Sequence, residues 1–431
     1  MSREAHRQAA RLSRPNTFTS EDVDPADHTT GLDAEEAGGL ELLAHHAEPT
    51  LASSFRYFLF GSYVNVLLLA MPLGIIAHFA HWSGTWVFVF NFFAIIPLAS
   101  LLGYATEEIA LRFGDTIGGL LNATFGNAVE LIIAVVAVKN GKIRVVQASL
   151  LGSILSNLLL VLGFCFLLGG FRYKEQSFNT TAAQNYASLL ALSCLSLLIP
   201  AAFWTSLDDH EAADKGILNL SHFSAIILLF IYLLSIYFQL STHAHLYEAV
   251  REETVVDSSE DNGDEEHDEH ATLTAPFAGA ALVLVTIFVA IHADLLVDSI
   301  DAVTKGGVMS DTFVGLILLP IVGNAAEHLT AVTTAMKNKM DLAIGVALGS
   351  SMQIALLVTP LLVIIGWILG QPMTLFFSGF ETVVLFVSVL ITNYLIMDGK
   401  SNWLEGAMLL GSYTIIAVAF FYYPDESTAK P

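Results

Sequence analysis

Gly126-Asn127-Ala128-Val129-Glu130 and Gly323-Asn324-Ala325-Ala326-Glu327 decide how this chain is read. Each phrase sits inside an apolar run long enough to cross a bilayer. A lone carboxylate at mid-membrane costs about 2.5–3.5 kcal/mol on insertion scales. A sequence that carries this cost twice, in the same local setting, is expected to use the carboxylates. The likeness extends well beyond the phrase. Residue i in Gly126–Gly163 matches residue i+197 without a gap, pairing Gly126 with Gly323, Asn127 with Asn324, Glu130 with Glu327, Ala134 with Ala331, Lys142 with Lys339, Gly152 with Gly349 and Ser153 with Ser350. An apolar background yields Leu and Val matches by chance. It does not yield Asn, Glu, Lys and Ser matches at one fixed offset.

Composition agrees with a membrane setting. The 431 residues are 54% hydrophobic and 14% charged, with a mean hydropathy of +0.63. The net charge of −23 is concentrated in the N-terminal tail (Met1–Thr50) and one central tract (Glu248–Glu269), so it describes the wet parts and not the fold. No basic stripe exists, which excludes nucleic acid as a partner. Cys165 and Cys194 both lie in apolar runs and read as packing or lipid-facing residues, with no disulfide framework. The first fifty residues lack an apolar core of signal-peptide type, so the first span is expected to direct insertion.

A helical span needs about 20 apolar residues. Eleven candidates follow: Tyr57–Phe79, Trp86–Thr106, Thr116–Val138, Ile143–Leu168, Ala182–Thr205, Ile217–Leu240, Pro276–Val297, Thr312–Met336, Leu342–Leu369, Met373–Ile396 and Trp403–Tyr423. The expected fold is an all-α integral membrane protein. It comprises a polar acidic tail (1–54), a first transmembrane helix (55–82), repeat one (83–244), an acidic linker (245–273), repeat two (274–424) and a short tail (425–431). Each repeat holds five crossings. An odd number forces the second repeat to enter from the opposite side, the inverted architecture of secondary transporters with a midplane site. A cytosolic N-terminus puts twelve Lys and Arg inside against six outside, which favours a cytosolic N-terminus and a lumenal C-terminus, although the Lys139–Arg144 cluster opposes it.

On a helix, Asn127 and Glu130 share a face, as do Asn324 and Glu327. The preceding glycine loosens backbone carbonyls, so each repeat can aim a carboxylate, an amide and backbone oxygens at one point. Ca²⁺ takes six to eight such oxygens. Ser153 and Ser350 open the second half of each motif, and Asn157 and Gln353 add amide oxygens. For these Ser and Asn residues, polar helix–helix glue is an equally good reading. Taking a carboxylate out of water favours its protonated form, a second carboxylate nearby favours it further, and a divalent cation reverses both. Metal and protons then compete for Glu130 and Glu327. His328, where repeat one has Leu131, is a candidate proton carrier or a hydrogen-bonded structural group. Glu107 and Glu108 close the second span and are read as a cytosolic entrance, or as simple helix-end solvation. Asp298 or Asp301 is a candidate counterpart on the opposite face. Glu381 has no repeat phrase; pairing within the bundle and facing water both stay open. His78, His222 and His292 are expected at the interface.

The tract Glu248–Glu269 holds eleven acids and one base, Arg251. It reads as a solvated linker, or as a regulatory acidic segment over the entrance carried by Glu260, Asp261, Asp264, Glu265, Glu266, Asp268 and Glu269. It lacks EF-hand spacing. Gly399-Lys400-Ser401 is not a phosphate loop, since Tyr394 occupies the first glycine position. No Gly-x-Ser-x-Gly or His-Glu-x-x-His is present. An enzyme is therefore not expected, nor any cofactor.

Ala105-Thr106-Glu107-Glu108, the run Gly118–Glu130, Gly152-Ser153-Ile154-Leu155-Ser156-Asn157 and Gly323-Asn324-Ala325-Ala326-Glu327-His328 resemble the CAX family, the cation/proton exchanger branch of the Ca²⁺/cation antiporter superfamily. The resemblance spans about Phe55 to Tyr423, and its fungal vacuolar Ca²⁺/H⁺ exchangers are the most similar group. It implies eleven spans, inverted repeats meeting at the ion site, and a vacuolar membrane. It implies that Glu130 and Glu327 bind Ca²⁺ and protons, and that Glu107, Asn127, Ser153, Asn324, Ser350 and Gln353 line the path. The expected activity is exchange of cytosolic Ca²⁺ for lumenal H⁺ across a lipid bilayer, with Mn²⁺ as a second candidate cargo. A Na⁺-coupled exchanger of the same architecture and a cation channel are the alternatives.

Overall fold

The computed structural model describes residues 50–207, 210–247, 271–305 and 309–423. The N-terminal tail to residue 49, the acidic tract from Glu260 to Glu269 and the C-terminal tail from residue 424 lie outside them. The described chain is helical because lipid cannot pair a free backbone, so each segment must satisfy its own N–H and C=O groups. In order come α1 (Leu51–Phe60), α2 (Tyr63–Phe79, opening with a 3₁₀ turn), α3 (Gly84–Phe125), α4 (Ala128–Lys139), α5 (Ile143–Arg172), α6 (Thr180–Thr205), α7 (His210–Tyr237), α8 (Ala275–Thr304), α9 (Asp311–Gly323), α10 (Ala325–Met336), α11 (Met340–Leu369), α12 (Gly379–Leu395) and α13 (Trp403–Tyr422).

The sequence repeat is a structural repeat down to its helix ends. α4 and α10 begin and end 197 positions apart, and so do α5 and α11. Both long helices carry a π-turn after the motif, at Ser156–Val161 and Ile354–Val358. The tight turn between α4 and α5 has Gly141 at φ +71, and its mate between α10 and α11 has Asn338 at φ +67. Asn is the side chain that tolerates this left-handed conformation best after Gly. Packing is reciprocal: α10 lies against the second half of α5, and α4 lies against the second half of α11. That exchange is what a two-fold relation between the hairpins produces.

The described helices depart from the eleven expected spans. By length and apolarity seven of them can cross a membrane, or nine when two bent pairs each count as one span. The first span is broken into α1 and α2, bent by 86° at Gly61-Ser62. The second expected span does not end at Thr106. α3 runs 42 residues without a Pro or turn signal strong enough to stop it after Pro97, about 63 Å of helix against a hydrocarbon core of about 30 Å. The third expected span is consequently the end of α3 plus α4, broken at Gly126-Asn127. α9 and α10 are bent by 62° at the matching point. The tenth is the short α12, because a Ser378–Glu381 capping box starts it late.

Polar anchors fix these pieces. Arg144, in the first turn of α5, reaches Glu381 Oε1 at 3.0 Å, so Glu381 pairs within the bundle and is fully buried. Position 341, 197 residues on, holds Asp341, whose Oδ1 accepts from the Asn179 backbone N–H at 2.6 Å at the start of α6. The same place in each repeat therefore docks a helix of the other repeat, Arg144 of α5 holding α12 and Asp341 of α11 holding the start of α6. His292 is not interfacial, as expected, but fully buried, with Nδ1 2.6 Å from Asn91 Oδ1. A Cβ on Gly74 would come within 2.8 Å of that oxygen, so α2 docks on α3 at a glycine. His222 is buried too, stacked on Trp367. Two short strands, β1 (Gln176–Ser177) and β2 (Lys400–Ser401), pair antiparallel and tie the loop after α5 to the loop before α13.

α5 crosses α9 at backbone contact, where a Cβ on Gly152 would collide with the Leu316 carbonyl. A Cβ on Gly103 would meet nothing within 4 Å. Gly152→Ala is expected to destabilise the protein by about 2 kcal/mol through overpacking, while Gly103→Ala leaves it unchanged or slightly stabilised. Melting of the two purified variants beside the parent checks this.

Candidate functional site

The two helix breaks are where the site forms. Asn127 and Asn324 are the N-cap residues of α4 and α10, at φ −98 and −96, and neither uses its side chain to cap. Their amides are left available for other partners. One turn on, Glu130 and Glu327 sit in the first turns of α4 and α10, where the positive end of a helix dipole faces a carboxylate. Both are brought to one place. Glu130 packs on the other repeat, and a Cβ on Gly323 would lie 2.6 Å from its Oε1, so only glycine fits there. The two carboxylates lie within electrostatic reach of each other. Glu130 Oε1 and Glu327 Oε2 are buried without a hydrogen-bond partner, as are Asn324 Oδ1 and Nδ2. Buried polar atoms of this kind are rare in folded proteins and call for an occupant.

Around them runs a polar chain. Ser350 Oγ donates to Asn127 Oδ1 at 3.2 Å and accepts from Asn157 Nδ2 at 3.1 Å. The same hydroxyl is within reach of Glu327. Its single proton is committed to one acceptor at a time. Asn127 Nδ2 donates to Gln353 Oε1 at 2.6 Å. His328 Nε2 lies 3.4 Å from Ser156 Oγ, beside the site but against repeat one and not between the carboxylates. Ser153 is buried, and among the described residues its hydroxyl makes no hydrogen bond to either carboxylate. Asn157, which had only a supporting place in the sequence reading, bridges the repeats through Ser350.

A cavity of about 670 Å³ leads to this point. Glu327, Ser350 and Gln353 line its inner end, and Tyr104, Glu107, Gln239 and Tyr247 its outer part. Glu130 is absent from the lining. This cavity reaches the acid of repeat two and does not touch the acid of repeat one. Glu107 and Glu108 have different employments. Glu107 faces the cavity. Glu108 is buried and accepts from the Thr272 N–H at 3.1 Å, the Thr272 hydroxyl at 2.5 Å and the Leu273 N–H at 2.9 Å. Arg112 donates to the Leu273 carbonyl and Tyr104 meets Thr272. Glu108 is therefore a clamp on the end of the linker rather than part of a funnel. On the far side, Asp301 pairs with Lys142 and Lys305, and Asp298 accepts from Asn140. Asp301 is thus offset by two cations, and Asp298 is held by a neutral amide. Tyr104 was legible as a site residue, since it shares a helix face with Glu107 and Glu108; Tyr247 carried no such signal.

Among the described residues no cluster of three or more His, Cys, Asp or Glu exists. The arrangement is two carboxylates with amide and hydroxyl oxygens, a hard-oxygen donor set suited to a divalent cation that is bound and released. A broken-helix pair meeting a twin at polar, buried helix ends defines an integral membrane ion-exchange fold. Comparison with known proteins places it. The sodium/calcium exchanger protein family matches residues 83–241 and 277–422, and the chain belongs to that family. It is 50% identical over 366 residues to the vacuolar calcium ion transporter of Schizosaccharomyces pombe, covering 85% of this chain and 86% of that one. It is 49% identical over 361 residues to a Ca²⁺/H⁺ antiporter of Aphanothece halophytica, covering 83% of this chain and 96% of that one. The solved structure of the Ca²⁺/H⁺ antiporter YfkE superposes with a TM-score of 0.68 at 36% identity, covering 84% of this chain and 99% of that one. The H⁺/Ca²⁺ exchanger CAX shares the fold, with a TM-score of 0.57 at 12% identity.

Glu108→Ala is expected to release the Thr272–Leu273 segment without unfolding the bundle. Losing hydrogen bonds to a charged acceptor, about 1.5–3 kcal/mol each, should speed hydrogen exchange of those two amides by more than about tenfold. Exchange measured by mass spectrometry on peptides spanning residue 272 checks it.

Proposed function

We propose that this protein is a secondary active antiporter that exchanges cytosolic Ca²⁺ for H⁺ from an acidic lumen, at a site shared by Glu130 and Glu327. The observation that carries the reading is the pair of partnerless, buried carboxyl oxygens, one from each repeat, beside a cavity that reaches Glu327. Two anionic groups brought together away from water need positive charge. A Ca²⁺ ion supplies it, and so do protons on the carboxyls themselves. The two kinds of occupant exclude each other, which makes the site an exchanger without further parts. Asn324 and Ser350 add neutral oxygens, and Mn²⁺, which takes the same ligands, is a second cargo.

Alternating access follows from the break geometry. Glu130 is sealed against Gly323 while Glu327 meets the cavity. Rocking one hairpin against its inverted twin would open Glu130 to the opposite side and close Glu327. The open face carries Glu107 and Tyr247, the end of the bundle from which the acidic linker leaves, and we assign it to the cytosol. This puts the N-terminus in the cytosol and the C-terminus in the lumen. A vacuolar membrane fits the vacuolar relative from Schizosaccharomyces pombe and a lumen that stores protons.

The test is ⁴⁵Ca²⁺ uptake into acid-loaded proteoliposomes. Uptake should require the pH step, vanish when nigericin collapses it, and be unaffected by an imposed Na⁺ gradient. Glu130→Gln and Glu327→Gln should each cut it by about two orders of magnitude, as expected for removing one member of an interacting buried charge set. Ca²⁺ flux without a pH step identifies a channel instead, and near-normal uptake in both variants rejects the site.

A further inference from the structure

The basic cluster Lys139–Arg144 falls on the face where few Lys and Arg are expected. Two of its cations have acidic partners. Arg144 pairs with Glu381, and Lys142 pairs with Asp301 near the end of α8. Asn140 donates to Asp298 Oδ1 at 3.1 Å, one turn earlier on the same helix. Two polar contacts thus join the α4–α5 turn to the end of α8. The start of α8 is elsewhere, since Tyr104 on the cavity wall meets Thr272 just ahead of it. The 30 residues of α8 make about 45 Å of helix, longer than a hydrocarbon core of about 30 Å. Its end therefore lies on the face opposite the cavity mouth. The inverted repeat supplies the comparison, with α3 as the mirror of α8 and the α10–α11 hairpin as the mirror of α4–α5. At the mouth these mirror elements turn to the cavity, Tyr104 and Glu107 from α3 and Thr330, Leu342 and Val346 from the hairpin. On the opposite face the corresponding elements are bonded to each other. α3 and α8 are themselves joined, by Asn91 to His292 and by a close approach of Gly84 to Ala302, so they form one body against which a hairpin can move.

We propose that the Lys142–Asp301 and Asn140–Asp298 contacts are a reversible latch that holds the lumenal face shut while the cytosolic cavity is open, and that they part when the hairpin of repeat one swings away from α8. Behind the latch, α4 packs along α8 with Ala134, Ala137 and Val138 buried. Parting the two elements uncovers the helix that carries Glu130. The side chains of the ion pair are 29% and 36% exposed. A pair that wet is weak, which suits a contact that breaks and re-forms in every cycle. Lys142 and its neighbours act on the distance between two helices and are positioning residues. The inference rests on the exchange reading above, which assigns this face to the lumen.

The test is to tie the latch shut. Asn140 and Asp298 are both exposed, and the native Cys165 and Cys194 are buried, so a short bifunctional methanethiosulfonate reagent can bridge the Asn140→Cys/Asp298→Cys variant at that point and a reductant can release it. Bridging should cut pH-driven ⁴⁵Ca²⁺ uptake by more than about tenfold, because a held state cannot exchange population. Reduction should restore uptake, and each single-cysteine variant should be indifferent to the reagent. Calorimetry on the bridged protein should still find Ca²⁺ bound at the parent's affinity. Normal uptake by protein that mass spectrometry shows to be bridged overturns the proposal. So does a bridge that abolishes Ca²⁺ binding as well, since the contact then supports the site and does not gate it. The Lys142→Cys/Asp301→Cys variant, spanned by a longer reagent of the same series, serves if the first pair folds poorly. Spin labels on the same two cysteines read the latch without transport. They should show a second, longer separation as the protein is moved between Ca²⁺-loaded and acid-treated conditions, and one unchanging separation overturns the proposal. An unbridged protein that binds Ca²⁺ but shows no proton-driven uptake refutes the exchange reading, and the spin-label separations then decide the latch alone.

Discussion

Two carboxylates held close together in a space that water barely reaches repel each other, and this repulsion organises the molecule. Charges interact far more strongly in low dielectric than in water, so the Glu130–Glu327 pair is a poor place for two bare anions and a good one for a cation or for protons. The fold concentrates that tension. Each acid sits one turn inside a helix start, where backbone dipoles partly offset its charge. Each helix starts at an Asn that declines to cap it. Gly323 admits the Glu130 carboxyl where any side chain would exclude it. The result is a set of oxygens with strong affinity for positive charge and no fixed owner.

The rest of the bundle keeps the two breaks in register. α5 and α11 bring Ser350, Asn157 and Gln353 to the breaks; the π-turn of α5 contains Asn157 and that of α11 begins just after Gln353, a feature common at functional sites in helices. Arg144 and Asp341, at matching positions, each dock a helix of the other repeat by a different chemistry, one through an ion pair to the buried Glu381 and the other through a backbone N–H. The repeats are thus alike in geometry and unlike in chemistry. A strictly symmetric exchanger would bind its cargo equally from both faces. Gln353 against Ser156, and His328 against Leu131, are places beside the breaks where that chemistry differs.

Much of the site was legible because polar residues in apolar surroundings are conspicuous. Glu130, Glu327, Asn127 and Asn324 stood out by their cost in lipid and by their fixed offset, and the structure brings them together. The repeat was readable to the residue, since helix ends follow the same Gly, Asn and Lys positions in both copies. Where the sequence misled, a breaker was overrated or overlooked. The second expected span closes at Thr106, yet α3 runs on, because the Glu, Ala, Leu and Arg residues that follow favour helix. Gly61-Ser62 breaks the first span, although its apolar run looks continuous. Glu108 resembled an entrance acid because its partners, two backbone N–H groups and one hydroxyl 164 residues away, leave no trace in the local pattern. His292 looked interfacial for the same reason: its partner Asn91 is 201 residues distant. Long-range polar pairing is the part of a membrane fold that one sequence conceals.

The most direct measurement counts protons. Calorimetric titration of Ca²⁺ into the purified protein near neutral pH, repeated in buffers of different ionisation heat, reports how many protons leave as each cation binds. Competition for shared carboxylates requires net proton release, and requires that release to disappear when Glu130 and Glu327 are both replaced by Gln. Ca²⁺ binding with no exchange of protons in the parent, across the pH range where the protein is stable, would contradict the account.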